Sequence, residues 1–112
     1  MITVTVKTKG DKVVIKSQGH SGFAEKGSDI VCSAVSALVF TALTFFDNGR
    51  ENLDITRCEV LNGFAQLVFY TKDARMKAAV EFFETGIGLI ADQYPEHVRL
   101  LESHGGGYED GL

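Results

Sequence analysis

The spacing of apolar residues changes from alternating to helical twice along this chain, and that order limits the possible folds more than any other feature. At the start, Ile2, Val4 and Val6 alternate with polar residues, which predicts a strand with one buried face. Residues 9–11 (Lys-Gly-Asp) form a turn signal, and residues 13–17 read as the returning strand. The first predicted unit is therefore a hairpin.

A second hairpin is predicted in the middle of the chain. Residues 53–60 and 64–70 are rich in β-branched and aromatic side chains, which favour strands. Between them stands Asn62-Gly63, a strong signal for a short hairpin turn.

An apolar segment with helical spacing, residues 29–47, separates the two hairpins. Ser28 is its predicted N-cap, and Asn48-Gly49 is its predicted end. The apolar residues of this helix cover more than one face, which indicates burial against a sheet on one side and against something else, such as a second subunit, on the other. They are Ile30, Val31, Ala34, Val35, Leu38, Val39, Ala42 and Leu43.

A second helix is predicted over residues 74–93, with Asp73 as a candidate cap. Its apolar stripe consists of Met76, Val80, Phe83, Ile87, Ile90 and Tyr94. Gly86 and Gly88 weaken this helix by roughly 1 kcal/mol each relative to alanine. Pro95 ends it.

The segments in the order ββαββα predict an α+β fold. In this fold, a two-layer sandwich, two main helices pack on one face of a four-stranded antiparallel sheet. Residues 1–103 are expected to form a single domain. Its last segment, residues 96–103, is expected to be a short amphipathic turn or two. The Gly-rich tail, residues 104–112, is predicted to be flexible.

Charge and composition argue against several classes of protein. The formal net charge is −4, and the eleven lysines and arginines are spread along the chain, which argues against a nucleic-acid-binding surface. The longest apolar stretch, residues 34–46, is interrupted by polar residues and is shorter than the ~18 to 20 residues of a membrane span. Because the N-terminus lacks the pattern of a signal peptide, we expect a cytoplasmic protein with reduced cysteines.

The connection between the first hairpin and the first helix holds the residues best suited to chemistry. It begins at Gly19, continues with one of only three histidines, His20, and leads to one of only two cysteines, Cys32. Together with Gly22 and Gly27, Gly19 gives three glycines in nine positions, which predicts a mobile loop.

Cys32 falls in the first turns of the predicted helix, where free N–H groups and the helix dipole lower the pKa of a thiol. The alternative is a small core residue in an apolar helix. Asp29, Cys32, Ser33 and Ser36 share one face, and a polar stripe on so apolar a helix indicates either solvent or a site.

His20 is the candidate general base for Cys32, because a loop at the end of a strand lets it reach the start of the helix. The alternative is a solvated surface histidine. Asp29 either stabilises the helix N-terminus or orients His20 as the third group of a triad. Ser36 lies one turn beyond Cys32. It either donates a hydrogen bond within the site, to the sulfur or to a developing oxyanion, or it bonds back to a carbonyl of its own helix.

A zinc site would use the same types of residue. However, Cys32, Cys58, His20 and His97 lack the paired spacings of zinc ligands, so we expect no metal and no cofactor. Cys58 lies in a predicted strand and is expected to be packed in the core. His97 and His104, near the end of the chain, are expected to be solvated.

The stretch GHSGFAEKGSDIVCSAVSAL, residues 19–38, resembles the signature of the ribosomal-processing cysteine proteases, the Prp family. The resemblance extends over the whole chain and implies that Cys32 is the nucleophile and His20 the catalytic histidine. It also implies that Asp29 and Ser36 are supporting residues. Ser21 departs from the family pattern, in which many members carry alanine.

The resemblance also implies a substrate and a partner. The expected reaction removes the short N-terminal extension of large-subunit ribosomal protein number twenty-seven by cleavage after a Phe-Phe pair. The enzyme is expected to be a homodimer with no direct contact to nucleic acid or membrane. In this interpretation residues 21–28 close over the substrate, and Gly19, Gly22 and Gly27 absorb the motion.

Two other functions fit the residues. In a non-enzymatic ribosome-associated binding module, the cysteine and histidine would be structural, and Cys32→Ala would leave the function intact. In a thiol redox protein, Cys32 would need a resolving cysteine nearby, and no C-x-x-C pair is present.

Overall fold

A computed structural model describes residues 1–25 and 29–105 of the chain. In chain order, the strands and helices are β1 (Ile2–Lys9), β2 (Lys12–Gly19), α1 (Ile30–Asn48), a 3-10 turn (Arg50–Asn52), β3 (Asp54–Leu61), β4 (Phe64–Tyr70), α2 (Ala74–Gln93) and β5 (Val98–Gly105). Both predicted hairpins and both predicted helices are present. The bounds predicted for α2 are confirmed.

The sheet has five strands in the order β3-β4-β2-β1-β5. The first four pair antiparallel, but β5 pairs parallel to β1, with Ile2 opposite Val98. The prediction of a four-stranded antiparallel sheet is therefore wrong in strand number and in direction. Residues 98–105 show no clean alternation of apolar and polar side chains, and β5 is a mostly exposed edge strand. Its pairing partner, β1, lies at the other end of the chain.

This strand also corrects the assignment of the C-terminal end. Residues 98–103, expected as part of an amphipathic turn, form β5, and the strand continues through His104 and Gly105 into the predicted tail. Thr8 pairs with His104 in the ladder between β1 and β5. The remainder of the predicted tail, residues 106–112, lies outside the described residues.

The core lies between the sheet and the two helices, which pack on the same face, as predicted. The sheet residues of the core alternate along β1, β2 and β4, so one face of these strands is buried and the other faces away. The helix residues that close the core are Val31, Val35, Val39, Ala42, Phe46, Met76, Val80, Phe83 and Ile87.

The predicted cap of α1 is wrong by one residue. Asp29, and not Ser28, is the N-cap, because its carboxylate accepts a hydrogen bond from the Cys32 amide at 2.8 Å. Ser28 lies outside the described residues. Asp73 caps α2 as predicted, by accepting from the Arg75 amide at 2.8 Å.

Helix α1 is apolar on its outer side as well. Ile30, Phe40 and Phe45 are exposed by 61%, 50% and 41%, whereas Val35 and Val39 are buried. By length and composition alone, this helix would pass as a membrane span, a test that the core helix of a globular protein also passes. Its inner face packs on the sheet, and its outer face is left without a partner within the described residues.

Candidate active site

The end of β2 places His20 at the rim of a cavity. Gly19 has φ +100° and donates its amide to the Gly63 carbonyl at 2.8 Å, and an added Cβ would clash with the Met1 carbonyl oxygen. Only glycine fits this position. The His20 ring then lies against Gly63 in the β3–β4 turn, where an added Cβ would be 2.8 Å from Nε2 of His20.

Ser21, directly after His20, is buried with an exposure of 1%. Its hydroxyl donates to a carboxylate oxygen of Asp29 and accepts the Phe23 amide at 3.1 Å. Its carbonyl accepts Nδ1–H of His97 at 2.9 Å. The expectation that His97 is solvated is wrong, because the turn after α2 folds its half-buried ring against this loop.

Asp29 joins the loop to the helix. One carboxylate oxygen caps the Cys32 amide and the other accepts from Ser21. The Ser21 hydrogen bond is the main cause that lowers the pKa of Asp29; burial opposes it, and the amides of Cys32, Ala24 and Phe23 add to it. No hydrogen bond joins Asp29 to His20 in the described part of the chain. Asp29 therefore acts as a helix cap and a loop anchor, and the alternative of direct contact with His20 is not observed.

Cys32 is the third residue of α1 and is half-buried, with its backbone amide held by the cap. It lines one cavity together with His20, Asp29 and Ser36. No hydrogen bond between His20 and Cys32 occurs among residues 1–25 and 29–105. The fold thus gathers the four predicted residues at one site, without a hydrogen bond between the two reactive groups in the described residues.

The cavity has a volume of about 680 Å³. Much of its lining is apolar and comes from β1, α1 and the β3–β4 hairpin. The apolar side chains that contribute to it include Ile2, Val35, Val39, Phe40, Leu61 and Phe64. Gly19 and Gly22 also line it, whereas Gly27 lies outside the described residues.

Three contributors to the site were not predicted from the sequence: Ser21, Gly63 and His97. Gly63 was predicted only as a turn residue, and nothing in the sequence places it under the His20 ring. The contact of His97 with Ser21 spans 76 positions, so no local pattern could show it.

Cys58 does not lie in the core as predicted. It is exposed on the edge strand β3, whose residues are almost all exposed because the helices do not cover that edge. Cys32 is therefore the cysteine that the fold places in a cavity.

The four residues considered as possible zinc ligands, Cys32, Cys58, His20 and His97, do not form a cluster in the described ranges. A different group does: atoms of Glu84, Glu102 and His104 lie within 4.8 Å of one another. His104 is exposed, as expected, but it also contacts Glu84 through Nε2 at 2.9 Å and Thr8 through Nδ1 at 2.7 Å. Burial raises the pKa of Glu84 to about 7, Glu102 adds to this, and His104 opposes it.

An α+β fold with a cysteine at a helix N-terminus, facing the same cavity as a histidine, is typical of thiol-dependent hydrolases. Residues 1–99 match the family described as cysteine protease Prp, and the chain belongs to this family. It is thus a cysteine protease of the ribosomal-processing type.

Relatives and solved structures agree with this assignment. The ribosomal processing cysteine protease Prp of Mycoplasma genitalium is 32% identical over 88 residues, which cover 77% of this chain and 84% of that protein. The fold is similar to the Prp protease of S. aureus in complex with a covalently linked product peptide, with a TM-score of 0.80, 23% identity and coverage of 91% of this chain and 99% of that chain. A second structure of the S. aureus protease, in complex with a substrate peptide, has a TM-score of 0.68, 21% identity and the same coverage.

Proposed function

We propose that this protease removes the short N-terminal extension of large-subunit ribosomal protein number twenty-seven, by cleavage after a Phe-Phe pair. The observation that carries the proposal is the apolar cavity that holds both Cys32 and His20 at the start of α1. The peptide complexes of the S. aureus relative support a peptide substrate for this fold.

In this proposal Cys32 is the nucleophile. Its position in the first turn of α1 puts the sulfur near the positive end of the helix dipole, which stabilises a thiolate. The thiolate attacks the carbonyl carbon of the second phenylalanine and forms a thioester as the C–N bond breaks. Water then attacks the thioester, releases the acid product and restores the thiol.

His20 acts as general acid and then as general base. It protonates the leaving amine in the first step and takes a proton from water in the second. The ring rests on Gly63 and has no hydrogen bond to Cys32 in the described residues. Substrate binding is therefore expected to bring the pair within reach, as hydrogen bonds of catalytic pairs are often long without substrate.

The oxyanion of the tetrahedral intermediate needs donors near Cys32. The Cys32 amide is engaged by the Asp29 carboxylate, so it is not free for this role. Ser36 lines the same cavity one helical turn further on, and we assign its hydroxyl as a supporting donor.

The lining of the cavity fits the proposed specificity. A volume of about 680 Å³ is within the usual range for a ligand site. Val39, Phe40 and Phe64 offer apolar and aromatic contacts to a pair of phenylalanine rings.

The loop from residue 21 to 28 is proposed to close over the substrate. Gly19 and Gly22 both have positive φ, which lets the backbone turn sharply on either side of His20. Gly27, the third proposed hinge, lies outside the described residues. Freezing the loop should lower turnover, and unchanged turnover would contradict this role.

We further propose that the enzyme works in the cytoplasm as a homodimer, without direct contact to nucleic acid or membrane. The exposed apolar residues of α1 that do not line the cavity, Ile30 and Phe45, support a protein interface. The formal net charge of −4 supports the absence of a nucleic-acid-binding surface.

The test is to incubate the reduced protein with a peptide that spans the extended N-terminus of the ribosomal protein, and to identify products by mass spectrometry. Wild type should cut after the Phe-Phe pair, and Cys32→Ala should bind the peptide but not cut it. Cys58→Ala is the matched control, because this exposed cysteine lies on β3, away from the cavity lining, and should leave cleavage unchanged. Binding without cleavage by wild type would favour the non-enzymatic binding module.

A further inference from the structure

Ser21 is a buried polar residue in a loop, and every polar group of its side chain and its carbonyl has a partner. The hydroxyl bonds Asp29 and the Phe23 amide, and the carbonyl bonds His97. A hydroxyl that is 99% buried costs free energy unless it is hydrogen-bonded, so these contacts explain how it is tolerated. They do not by themselves explain why a hydroxyl is present at all.

The position of Ser21 in the chain supplies a reason. It directly follows His20, and its partner Asp29 holds the amide of Cys32 at 2.8 Å. Two hydrogen bonds therefore connect the residue after the histidine to the backbone of the cysteine. We propose that Ser21 is a positioning residue that fixes His20 relative to Cys32, with His97 holding Ser21 from the other side. This rests on the proposed function insofar as His20 and Cys32 are taken as the reacting pair.

The main chain around His20 is held on its other sides as well. The N-terminal amine of Met1 donates to the His20 carbonyl, and the Gly19 amide donates to Gly63. Once these contacts fix the segment to the sheet, the Ser21 hydroxyl ties it to Asp29 at the start of α1, together with the Phe23 and Ala24 amides. Without that hydroxyl, the Asp29 carboxylate and the Phe23 amide both lose a buried partner, and the loop must shift to satisfy them.

His97 is well placed to act as an anchor, because its own backbone is part of the sheet framework. Its carbonyl accepts the Ile2 amide at 2.8 Å, and its amide donates to Tyr94 at 2.9 Å. The Phe23 ring packs edge-on against Tyr94 and His97, with centroid distances of 5.5 and 5.4 Å. The first part of the loop is thus docked on the turn between α2 and β5.

The test measures the reactivity of the Cys32 thiol as a function of pH. The parent protein carries Cys58→Ser, so that Cys32 is the thiol that is alkylated. Rates of alkylation by iodoacetamide are compared for the parent, Ser21→Ala, His20→Ala and the double variant. His20 and Cys32 line the same cavity, and a protonated imidazole there favours the thiolate through its charge, without a hydrogen bond to the sulfur. Ser21→Ala should move the inflection upward by about half a pH unit or more, and His20→Ala should move it at least as far.

The double variant distinguishes positioning from a local effect on the thiol. If Ser21 acts by holding His20, adding Ser21→Ala to His20→Ala should cause no further shift, because the imidazole charge near the thiol is already lost. A shift that adds in full to that of His20→Ala would overturn the proposal. The proposal would also be overturned if Ser21→Ala had the same pH profile as the parent, or if His20→Ala left the profile of the parent unchanged.

Two further variants guard against a folding artefact. His97→Phe keeps an aromatic ring beside Phe23 but removes the N–H that the Ser21 carbonyl accepts, and it should shift the inflection in the same direction by a smaller amount. If Ser21→Ala does not fold, an unchanged profile of His97→Phe overturns the proposal. Ser103→Ala, on the edge strand β5, is the serine control and should match the parent.

Cleavage assays separate this proposal from the proposed function. Ser21→Ala should lower kcat/KM about tenfold, mainly through kcat, because a misplaced pair slows chemistry more than binding. Alkylation needs no substrate, so a shifted profile in a protein that does not cut the peptide would leave the positioning role intact and refute the substrate. Normal cleavage by Ser21→Ala would refute the positioning role and leave the substrate intact.

Discussion

Gly63 shows how a single residue shapes the candidate site from a distant hairpin. Its φ is +73°, which the β3–β4 turn requires, and the position where a Cβ would stand is 2.8 Å from Nε2 of His20. Glycine is therefore needed for two independent reasons, the turn and the space for the ring.

We predict that Gly63→Ala displaces the His20 ring and lowers kcat/KM by roughly ten- to hundredfold, since small displacements of a reacting group carry penalties of this size. The positive φ adds a stability cost of about 1 to 2 kcal/mol. Peptide cleavage and thermal unfolding measure the two effects separately.

Gly10→Ala is the matched control. Gly10 has φ +57° in the β1–β2 turn, outside the cavity lining, so it carries the same kind of backbone strain. It should lower the melting temperature without a comparable loss of activity. Equal losses of activity in the two variants would mean that strain, and not the contact with His20, accounts for the effect.

At the scale of elements, Asp29 stabilises the start of α1 as an ionised cap. Because its pKa is lowered in the folded state, its contribution is fully present above the unfolded value of 3.8 and is lost as the pH falls through the lowered value. This follows from the Ser21 and backbone hydrogen bonds, which favour the carboxylate over the acid.

Asp29→Asn keeps an acceptor for the Cys32 amide but removes the charge. We expect a melting temperature several degrees lower at neutral pH, and a difference from wild type that shrinks as the pH falls below 3.8. Thermal melts followed by circular dichroism across this range measure it. Asp73→Asn, at the cap of α2, is the control and measures how far the melting temperature falls when an ordinary cap loses its charge. A difference that stays constant with pH would contradict the ionised cap.

Helix α2 and strand β5 are joined by Glu84, Glu102 and His104. This contact predicts a second way in which the stability of the fold depends on pH. Burial raises the pKa of Glu84 from 4.5 to about 7, so between these values the folded state holds a proton that the unfolded state has released. Stability should therefore decrease as the pH rises through this window.

Glu84→Gln should remove that decrease, because the amide stays neutral throughout. Urea unfolding at about pH 5 and about pH 8 compares the two proteins, and the variant should lose less stability over the interval. Glu81→Gln, an exposed residue of the same helix, is the control and should behave like wild type. Parallel losses in wild type and Glu84→Gln would show that other groups cause the pH dependence.

At the scale of the whole molecule, the outer face of α1 predicts the oligomeric state. Ile30, Phe40 and Phe45 are exposed along one helix whose inner face is already packed on the sheet. We expect light scattering coupled to gel filtration to give the mass of a dimer. Phe45→Lys should convert it to a monomer of 12.2 kDa, because a charge on each copy opposes burial of this face.

Phe82→Lys is the control for that experiment. Among residues 1–25 and 29–105, Phe82 is the most exposed large apolar residue, at 80%, but it lies on α2. A dimer that survives Phe45→Lys and dissociates with Phe82→Lys would place the interface on the other helix.

Much of the fold was predictable because it depends on local patterns. The alternation in β1, the Asn62-Gly63 turn and the spacing in α2 each encode one element and its end. The placement of His20 and Cys32 at one cavity was also predictable, because His20 directly follows β2 and Cys32 lies in the first turn of the next element, α1.

Contacts between distant segments could not be predicted in this way. Strand β5 exists because β1 offers it a free edge, and its own sequence lacks the alternation that would show it. His97 reaches Ser21, and Gly63 supports His20, because the sheet order places the turn after α2 and the β3–β4 hairpin beside the same loop. The sequence by itself thus determined the helices, the hairpins and the candidate reacting pair, whose signals are local. Only the tertiary structure decided the fifth strand and the residues that hold the pair, because hydrogen bonds and packing between remote segments depend on the assembled sheet.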